Sequence, residues 1–124
     1  MKNYFTIDEL KCKCGCESSN MNPIFMELLC IIRKIYDKPM ILTSAYRCNK
    51  YNKSIGGGPA HVSGRAVDVS VYGEDALRLI SIATDFGITG VGVKQHGSGR
   101  FIHLDSLGKN EYIASPRPWI WSYK

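Results

Sequence analysis

The longest amphipathic pattern in the chain runs through "NPIFMELLCIIRKIYDKP". Apolar residues recur there at intervals of three and four positions, the spacing that places them on one face of an α-helix. Asn22 can cap this helix, Pro23 suits its first turn, and Pro39 lies just past its end. We predict that the helix packs against a core through Phe25, Leu28, Leu29, Ile32 and Ile35.

Two further segments favour helix. Thr6 and Glu9 have the spacing of a capping box, which predicts one short helical turn near the start of the chain. The segment "EDALRLISIATDFG" is amphipathic, begins with acidic residues and is stopped by Gly87. The segments between these helices lack the helical spacing of apolar residues.

Those stretches alternate between apolar and polar residues or are rich in β-branched residues, which is typical of strands. The predicted strands are "MILTSAY", "RAVDVSV", "GVGVKQ" and "RFIHLDS". We interpret "RCNKYNKS" as a polar turn, "IGGGP" as a loop and "HGSG" as the turn between the last two strands. The tail "RPWIWSYK" suits a closing strand or a docked extension.

The order of these elements predicts an α+β fold, with helices packed on a small, mostly antiparallel sheet. A length of 124 residues supports one domain with a modest core, so we assign residues 1–124 to a single domain.

Charge and hydropathy narrow the possible partners. The chain has 16 basic and 11 acidic residues, a net charge of +5, which favours solubility and attraction to an anionic partner. Its basic residues form no run of four, so we expect no nucleic-acid partner. No stretch approaches the roughly twenty apolar residues of a membrane span, and "MKNYFTIDEL" lacks the apolar segment of a signal peptide.

Five cysteines leave two interpretations open. An odd number excludes complete internal pairing, and "CKCGC" lacks the usual C-x-x-C spacing of a zinc knuckle. Either a structural zinc or a disulfide forms there, with Cys48 as a distant partner, or the thiols stay reduced. Cys30 lies in an apolar stretch and is most simply a core residue.

The three histidines carry the candidate chemistry. His103 and Asp105 share one face of their predicted strand, Asp68 lies on the polar face of another, and His61 lies in the loop that precedes it. If the two strands pair, His61, Asp68 and His103 converge. Two imidazoles and a carboxylate suit zinc and leave a fourth position for water. The alternative is a hydrogen-bonded structural cluster.

Several ordered motifs resemble the zinc D-alanyl-D-alanine carboxypeptidase family. "HVSGRAVDV" and "FIHLD" are similar to its H-x-x-G-x-A-x-D and distal H-x-D patterns, and "TSAYRCNKYNKSIGG" is similar to its S-G-Y-R-x-x-x-x-N-x-x-x-G-G segment. The ending "RPWIWSY" resembles the family's R-P-x-x-W-x-Y, and "FTIDELKCKCGC" resembles the opening of phage-associated members. The resemblance covers residues 5–123.

The resemblance implies a hedgehog/D-Ala-D-Ala peptidase-like fold that binds one catalytic zinc ion. It implies His61, Asp68 and His103 as the zinc ligands. It also implies that Arg47 and Ser44 in "SAYR" bind the substrate, and that Arg47 acts in catalysis as a cation near the substrate carboxylate or the tetrahedral intermediate. A bidentate guanidinium suits that task, and a structural ion pair is the alternative for Arg47.

Two residues are candidates for the general base. Asp105 shares the face of His103 and can either accept a proton from water or orient a ligand imidazole. His96 lies in the turn before the ligand strand, from which it can reach the site as a base or as an oxyanion donor, or it can be a solvated turn residue.

The implied function is that of a zinc peptidase acting on peptidoglycan stem peptides that contain D-amino acids, as a phage endolysin or a virion-associated lysin. We expect a monomer that acts from the virion, or from the host cytoplasm with release to the cell wall or periplasm. The alternatives are a non-catalytic module of the same fold that binds wall peptides or a protein, and a zinc-containing protein that binds nucleic acid.

Overall fold

The computed structural model describes residues 4–124, which contain four helices and five strands. The helices are α1 (Ile7–Leu10), α2 (Pro23–Tyr36), α3 (Asn49–Ser54) and α4 (Gly73–Asp85). The strands are β1 (Ile41–Ser44), β2 (Ala66–Ser70), β3 (Gly90–Lys94), β4 (Phe101–Asp105) and β5 (Trp119–Ser122).

The five strands form one sheet in the order β1-β2-β4-β3-β5. All neighbouring pairs are antiparallel except β3 and β5, which are parallel. The predicted α+β fold with a mostly antiparallel sheet is therefore confirmed. The tail is a strand, β5, which forms one edge of the sheet beside β3.

Helices α2 and α4 pack together, and their apolar faces share a core with alternate residues of the sheet. Asn22 caps α2 by accepting a hydrogen bond from the Phe25 amide (2.9 Å), and Pro23 is its first residue, as predicted. The predicted core face is correct at Phe25, Leu29 and Ile32, while Leu28 is partly buried. It is wrong at Ile35, which is 43% exposed, because the buried stripe continues through Tyr36.

The local signals at the other helices had mixed outcomes. The capping box of α1 is present, with Thr6 and Glu9 exchanging both hydrogen bonds. The interpretation of "RCNKYNKS" as a turn was wrong, because residues 49–54 form α3. Cys48 takes the N-cap position there, and its sulfur accepts a hydrogen bond from the Tyr51 amide (3.4 Å), a cap that residue type rarely supplies.

The face of the sheet opposite the helices carries one row of aligned residues. Ser44 pairs with Asp68, Asp68 with His103, His103 with Gly92, and Gly92 with Trp121. Side chains on one row of a sheet project to the same side. The strand register therefore assembles serine, aspartate, histidine and tryptophan side chains from four strands.

None of the helices in residues 4–124 combines the length and the apolar character that a membrane span requires.

Candidate metal centre

The buried side chains of Asp68, His103 and His61 meet on the face of the sheet opposite the helices. Asp68 projects from the middle of β2, and His103 projects from the directly opposite position of β4. His61 comes from the turn between the glycine-rich loop and β2, where Gly64 (φ +75°) lies against the backbone of Asn20 and leaves no room for a larger residue. The nitrogen and oxygen ligand atoms of the three side chains all lie within 4.8 Å of one another.

The spacing of these atoms fits a small tetrahedral cation. His61 Nε2 is 3.3 Å and His103 Nδ1 is 3.2 Å from the same oxygen, Asp68 Oδ1. Zinc bonds of about 2.0–2.1 Å in a tetrahedron separate neighbouring ligand atoms by about 3.3 Å. Two imidazoles and one carboxylate are also ligand types that zinc accepts in sites with an open position. The residues present therefore fit a zinc ion.

Hydrogen bonds fix which nitrogen of each imidazole faces the centre. The Ala45 carbonyl lies 2.6 Å from His61 Nδ1 and can only accept, so Nδ1 carries the proton and Nε2 keeps its lone pair. Asp105 Oδ2 lies 2.6 Å from His103 Nε2, which fixes the opposite tautomer for His103. In its neutral form each ring thus directs a nitrogen with a free lone pair at Asp68, and in its protonated form the same nitrogen donates a hydrogen bond to that carboxylate.

Asp105 holds His103 and is itself held by Arg117. The Arg117 guanidinium donates Nε to Asp105 Oδ1 (3.0 Å) and Nη2 to Asp105 Oδ2 (2.9 Å). The Leu107 amide donates a further bond to Asp105 Oδ1 (3.2 Å), and Asp105 is fully buried. Burial raises the pKa of Asp105, but the hydrogen bonds from His103 and Arg117 outweigh it and lower this pKa to about 2.

Asp68 and His103 shift each other's pKa values. Burial opposes ionisation of Asp68, yet the hydrogen bonds and charges of His103 and His61 bring its pKa well below the usual range. Burial likewise lowers the pKa of His103, but its bonds to Asp105 and Asp68 raise that pKa above the ordinary value. A carboxylate that stays ionised between two imidazoles leaves the centre ready for a cation.

The centre opens into a cleft of about 460 Å³. Arg47 lines this cleft, donates Nη2 to Asp68 Oδ2 (3.4 Å) and donates Nε to the Ser44 hydroxyl (3.1 Å). Its guanidinium is thus placed beside the candidate ligands, with Ser44 behind it. Ser44 does not line the cleft, so its contact with the site runs through Arg47.

The two residues predicted as the general base lie in different surroundings. Both oxygens of Asp105 are engaged in hydrogen bonds, and the side chain has no access to solvent. His96 is exposed, lies outside the cleft lining and has Nε2 3.4 Å from the Tyr123 carbonyl oxygen. The structure therefore brings Asp105, but not His96, to the cluster.

Three residues with a clear place in the site received no individual role from the sequence. Arg117 anchors Asp105, and Trp121 lies with its ring centroid 5.0 Å from that of His103. Asn52 donates its amide to the carbonyls of Gly57 (3.1 Å) and Gly58 (2.9 Å), which fixes the glycine loop that lines the cleft. Only the family motifs signalled these positions, because no periodic pattern in the sequence specifies their contacts.

A family model described as Peptidase M15 matches residues 3–105, a span that includes all three candidate ligands and the whole of β1–β4. A search of curated proteins found no match. Members of the M15 family are zinc-dependent in general, in agreement with the fit of the cluster to a zinc ion. The chain belongs to the peptidase M15 family, to which the zinc D-alanyl-D-alanine carboxypeptidases also belong.

Proposed function

We propose that the protein is a zinc-dependent peptidase that cleaves peptidoglycan stem peptides at bonds involving D-amino acids. The observation that carries the proposal is the convergence of His61, Asp68 and His103 at a cleft that also contains Arg47. Family membership supports the peptidase activity, and the motifs support the choice of substrate.

The three residues would hold the metal through His61 Nε2, Asp68 Oδ1 and His103 Nδ1. When bound, zinc lowers the pKa of a water molecule toward about 7 and polarises a carbonyl oxygen. Asp105, clamped by Arg117, keeps the proton on His103 Nε2 and so presents the other nitrogen as a ligand.

Arg47 would bind and orient the substrate. Its guanidinium lines the cleft next to Asp68, and two parallel N–H groups match either a substrate carboxylate or the two oxygens of a tetrahedral intermediate. Ser44 holds Nε of the guanidinium and Asp68 accepts one hydrogen of Nη2, which leaves Nη1 and the second hydrogen of Nη2 for the substrate. Tyr112 and Trp121 provide apolar walls on the same cleft.

For the proton acceptor we propose His96 over Asp105. Asp105 is saturated with hydrogen bonds, whereas His96 lies in an exposed turn with Gly97 and Gly99, both at positive φ. That turn adjoins Tyr123, which lines the cleft. A histidine exchanges protons efficiently near neutral pH.

The proposed setting is a phage endolysin or a virion-associated lysin that acts as a monomer. The support is the resemblance of "FTIDELKCKCGC" to phage-associated members of the family, together with the net charge of +5, which favours contact with anionic wall polymers. Such a protein would work from the virion, or from the host cytoplasm after release to the wall.

One observation favours a second candidate, a non-catalytic module that binds wall peptides. Among the described residues that line the cleft, the single carboxylate is Asp68, a candidate ligand, so no further carboxylate is available there as a base. A module of this kind would keep zinc and bind muropeptides without turnover.

Metal analysis paired with mass spectrometry of digested muropeptides tests both candidates. Purified protein should carry zinc at the histidine site and release shortened stem peptides. His61→Ala and Asp68→Ala should each lose that zinc and the activity together, while Asp85→Ala, which removes an exposed carboxylate at the end of α4, should keep both. Zinc without turnover would favour the binding module, and activity that survives in both site variants would refute the proposal.

A further inference from the structure

We propose that a second metal centre lies outside the cleft, in which Cys12, Cys14, Cys16 and Cys48 hold one structural zinc ion. Their sulfur atoms all lie within 4.8 Å of one another, and none of the four cysteines lines the cleft or belongs to the histidine cluster. The cluster joins the loop after α1 to the N-terminus of α3.

The sulfur separations match a tetrathiolate site. Cys12 Sγ is 3.5 Å from Cys14 Sγ and 3.7 Å from Cys48 Sγ, and Cys14 Sγ is 3.6 Å from Cys48 Sγ. Zinc–sulfur bonds of about 2.3 Å in a tetrahedron place neighbouring sulfurs about 3.8 Å apart. A disulfide requires about 2.05 Å, and all five cysteines are free in this structure. Three mutually equidistant sulfurs suit one cation better than one covalent pair.

The backbone explains how alternate residues of "CKCGC" reach one point. Gly15 (φ +91°) and Glu17 (φ 65°) adopt left-handed conformations that fold the segment back on itself. The Cys12 amide closes this loop by donating to the Ser18 carbonyl (2.8 Å). The loop therefore brings Cys14 and Cys16 close to Cys12, whereas an extended strand would keep residues two positions apart about 6.6 Å from one another.

Backbone donors face the sulfurs, as thiolate ligands require. The Cys48 amide donates to Cys12 Sγ and the Tyr51 amide donates to Cys48 Sγ, both at 3.4 Å. These N–H groups offset the negative charge that four thiolates bring to one ion. Soft sulfur ligands without oxygen select zinc over magnesium and calcium.

The position of the cluster indicates what the ion would stabilise. Cys48 directly follows Arg47, the arginine that lines the cleft. The Tyr46 amide donates to the carbonyl of Leu10 (3.1 Å), so the end of α1 lies beside this arginine. An ion bound by Cys48 and by the loop at 12–16 would fix this junction. The second zinc would then hold Arg47 in place without contacting substrate.

Zinc stoichiometry tests the proposal on the full chain, purified without chelator. Wild type should carry two zinc ions per chain, His61→Ala one, and the double variant C14S/C16S one. Cys30→Ala removes the cysteine that lies in the apolar core, and it should keep two. A wild type with a single zinc ion that is lost in His61→Ala would overturn the proposal.

A cobalt spectrum gives a second reading that needs no cysteine variant, in case C14S/C16S does not fold. Cobalt-loaded His61→Ala should show an intense thiolate-to-cobalt charge-transfer band with tetrahedral ligand-field bands, because only the sulfur site remains. A spectrum without that band would contradict the site. So would an intact mass lower by two hydrogen atoms with two fewer alkylated thiols, since it would show a disulfide.

Discussion

At the scale of single residues, His103 is held from both of its nitrogens, and this arrangement decides what Asp105 does. The imidazole lies between Asp68 Oδ1 (3.2 Å) and Asp105 Oδ2 (2.6 Å), and Arg117 clamps Asp105 from behind. A carboxylate engaged in this way orients a ligand and has no free lone pair with which to take a proton from water.

The primary effect of Asp105→Asn should therefore be weaker zinc binding, and not the loss of a proton acceptor. We expect the zinc affinity of the histidine site to fall about 10- to 100-fold, because the orienting carboxylate is lost. The free energy of unfolding should fall by about 3–5 kcal/mol, because Arg117 is left buried without its partner. Chelator competition and denaturant unfolding measure the two effects. Asp37→Asn is a control at an exposed residue, since asparagine tolerates its left-handed conformation.

His96→Gln provides the comparison within the same prediction. Because His96 is the proposed proton acceptor, its replacement should lower kcat about 10²- to 10⁴-fold and leave the zinc affinity unchanged. The two variants thus separate orientation from proton transfer. An Asp105→Asn protein that binds zinc normally but has no turnover would reverse the two assignments.

Arg47→Lys tests whether the guanidinium fork, and not merely a positive charge, serves the substrate. Lysine keeps the charge but loses the paired N–H groups, so kcat/KM should fall about 10- to 100-fold, equivalent to the 1.5–3 kcal/mol of a hydrogen bond to a charged group. The zinc content should stay that of wild type. Steady-state kinetics on a defined muropeptide measure the effect. Arg100→Lys, at a residue that stacks on Tyr72 away from the cleft, should change kcat/KM little.

Sequence reasoning at this scale succeeded where strand alternation decides the outcome. The alternation in "RAVDVSV" and "RFIHLDS" predicted the faces of Asp68 and His103, and the register indeed pairs them. It did not predict that Arg117 clamps Asp105, because that contact depends on how the chain returns after β4 through a loop without periodicity. The motif "RPWIWSY" indicated that the segment matters but not that its arginine contacts Asp105.

At the scale of elements, strand β3 has an unusual requirement for glycine. A Cβ atom at Gly92 would lie 2.6 Å from Trp121 Nε1, and one at Gly90 would overlap Asp105 and lie 2.5 Å from Arg117 Nε. Both glycines lie on the face of the sheet that carries Asp68 and His103. Strand β3 therefore has no side chain at these two positions, and the side chains of neighbouring segments fill the space above it.

Gly90→Ala should disturb the site from a strand that contributes no side chain to it. The added methyl group must displace the Asp105–Arg117 pair, which should cost about 1–3 kcal/mol of stability and reduce zinc affinity in parallel. Denaturant unfolding and zinc titration of the same protein check this coupling. Gly108→Ala is the matched control, because its Cβ would meet only the flexible end of Glu111 and should change stability by less than about 0.5 kcal/mol. Normal zinc affinity in Gly90→Ala would show that the pair tolerates displacement.

The elements themselves were predictable in proportion to their periodicity and capping signals. Helix α2 has both and begins at its predicted first residue, whereas α3 has only six residues and a cysteine N-cap, so its sequence resembles that of a polar turn. The parallel pairing of β5 with β3 could not be predicted, since period-two alternation specifies which side chains share a face but not which strand is the neighbour.

At the scale of the whole molecule, the cleft brings together segments from most of the chain length, from Arg47 to Tyr123. A ligand that binds such a site only in the folded state stabilises the entire fold by mass action. The centre joins β2 and β4, two adjacent interior strands of the sheet, to the turn at His61. Zinc bound there should therefore raise the free energy of global unfolding, and not merely suppress local fraying.

Thermal unfolding of metal-stripped protein tests this coupling between site and fold. Free zinc at 100 times the dissociation constant should add about 2.7 kcal/mol per site, which raises Tm by roughly 8–15 °C for a chain of this size. Asp68→Ala should lose the part of the increase that belongs to the histidine site, because the remaining imidazoles lack the carboxylate between them. Magnesium at the same concentration should leave Tm unchanged, since imidazole ligands disfavour it. An equal zinc-induced rise in Asp68→Ala and wild type would mean that the three side chains do not bind zinc together, and the assignment of the cleft as a metal centre would fail with it.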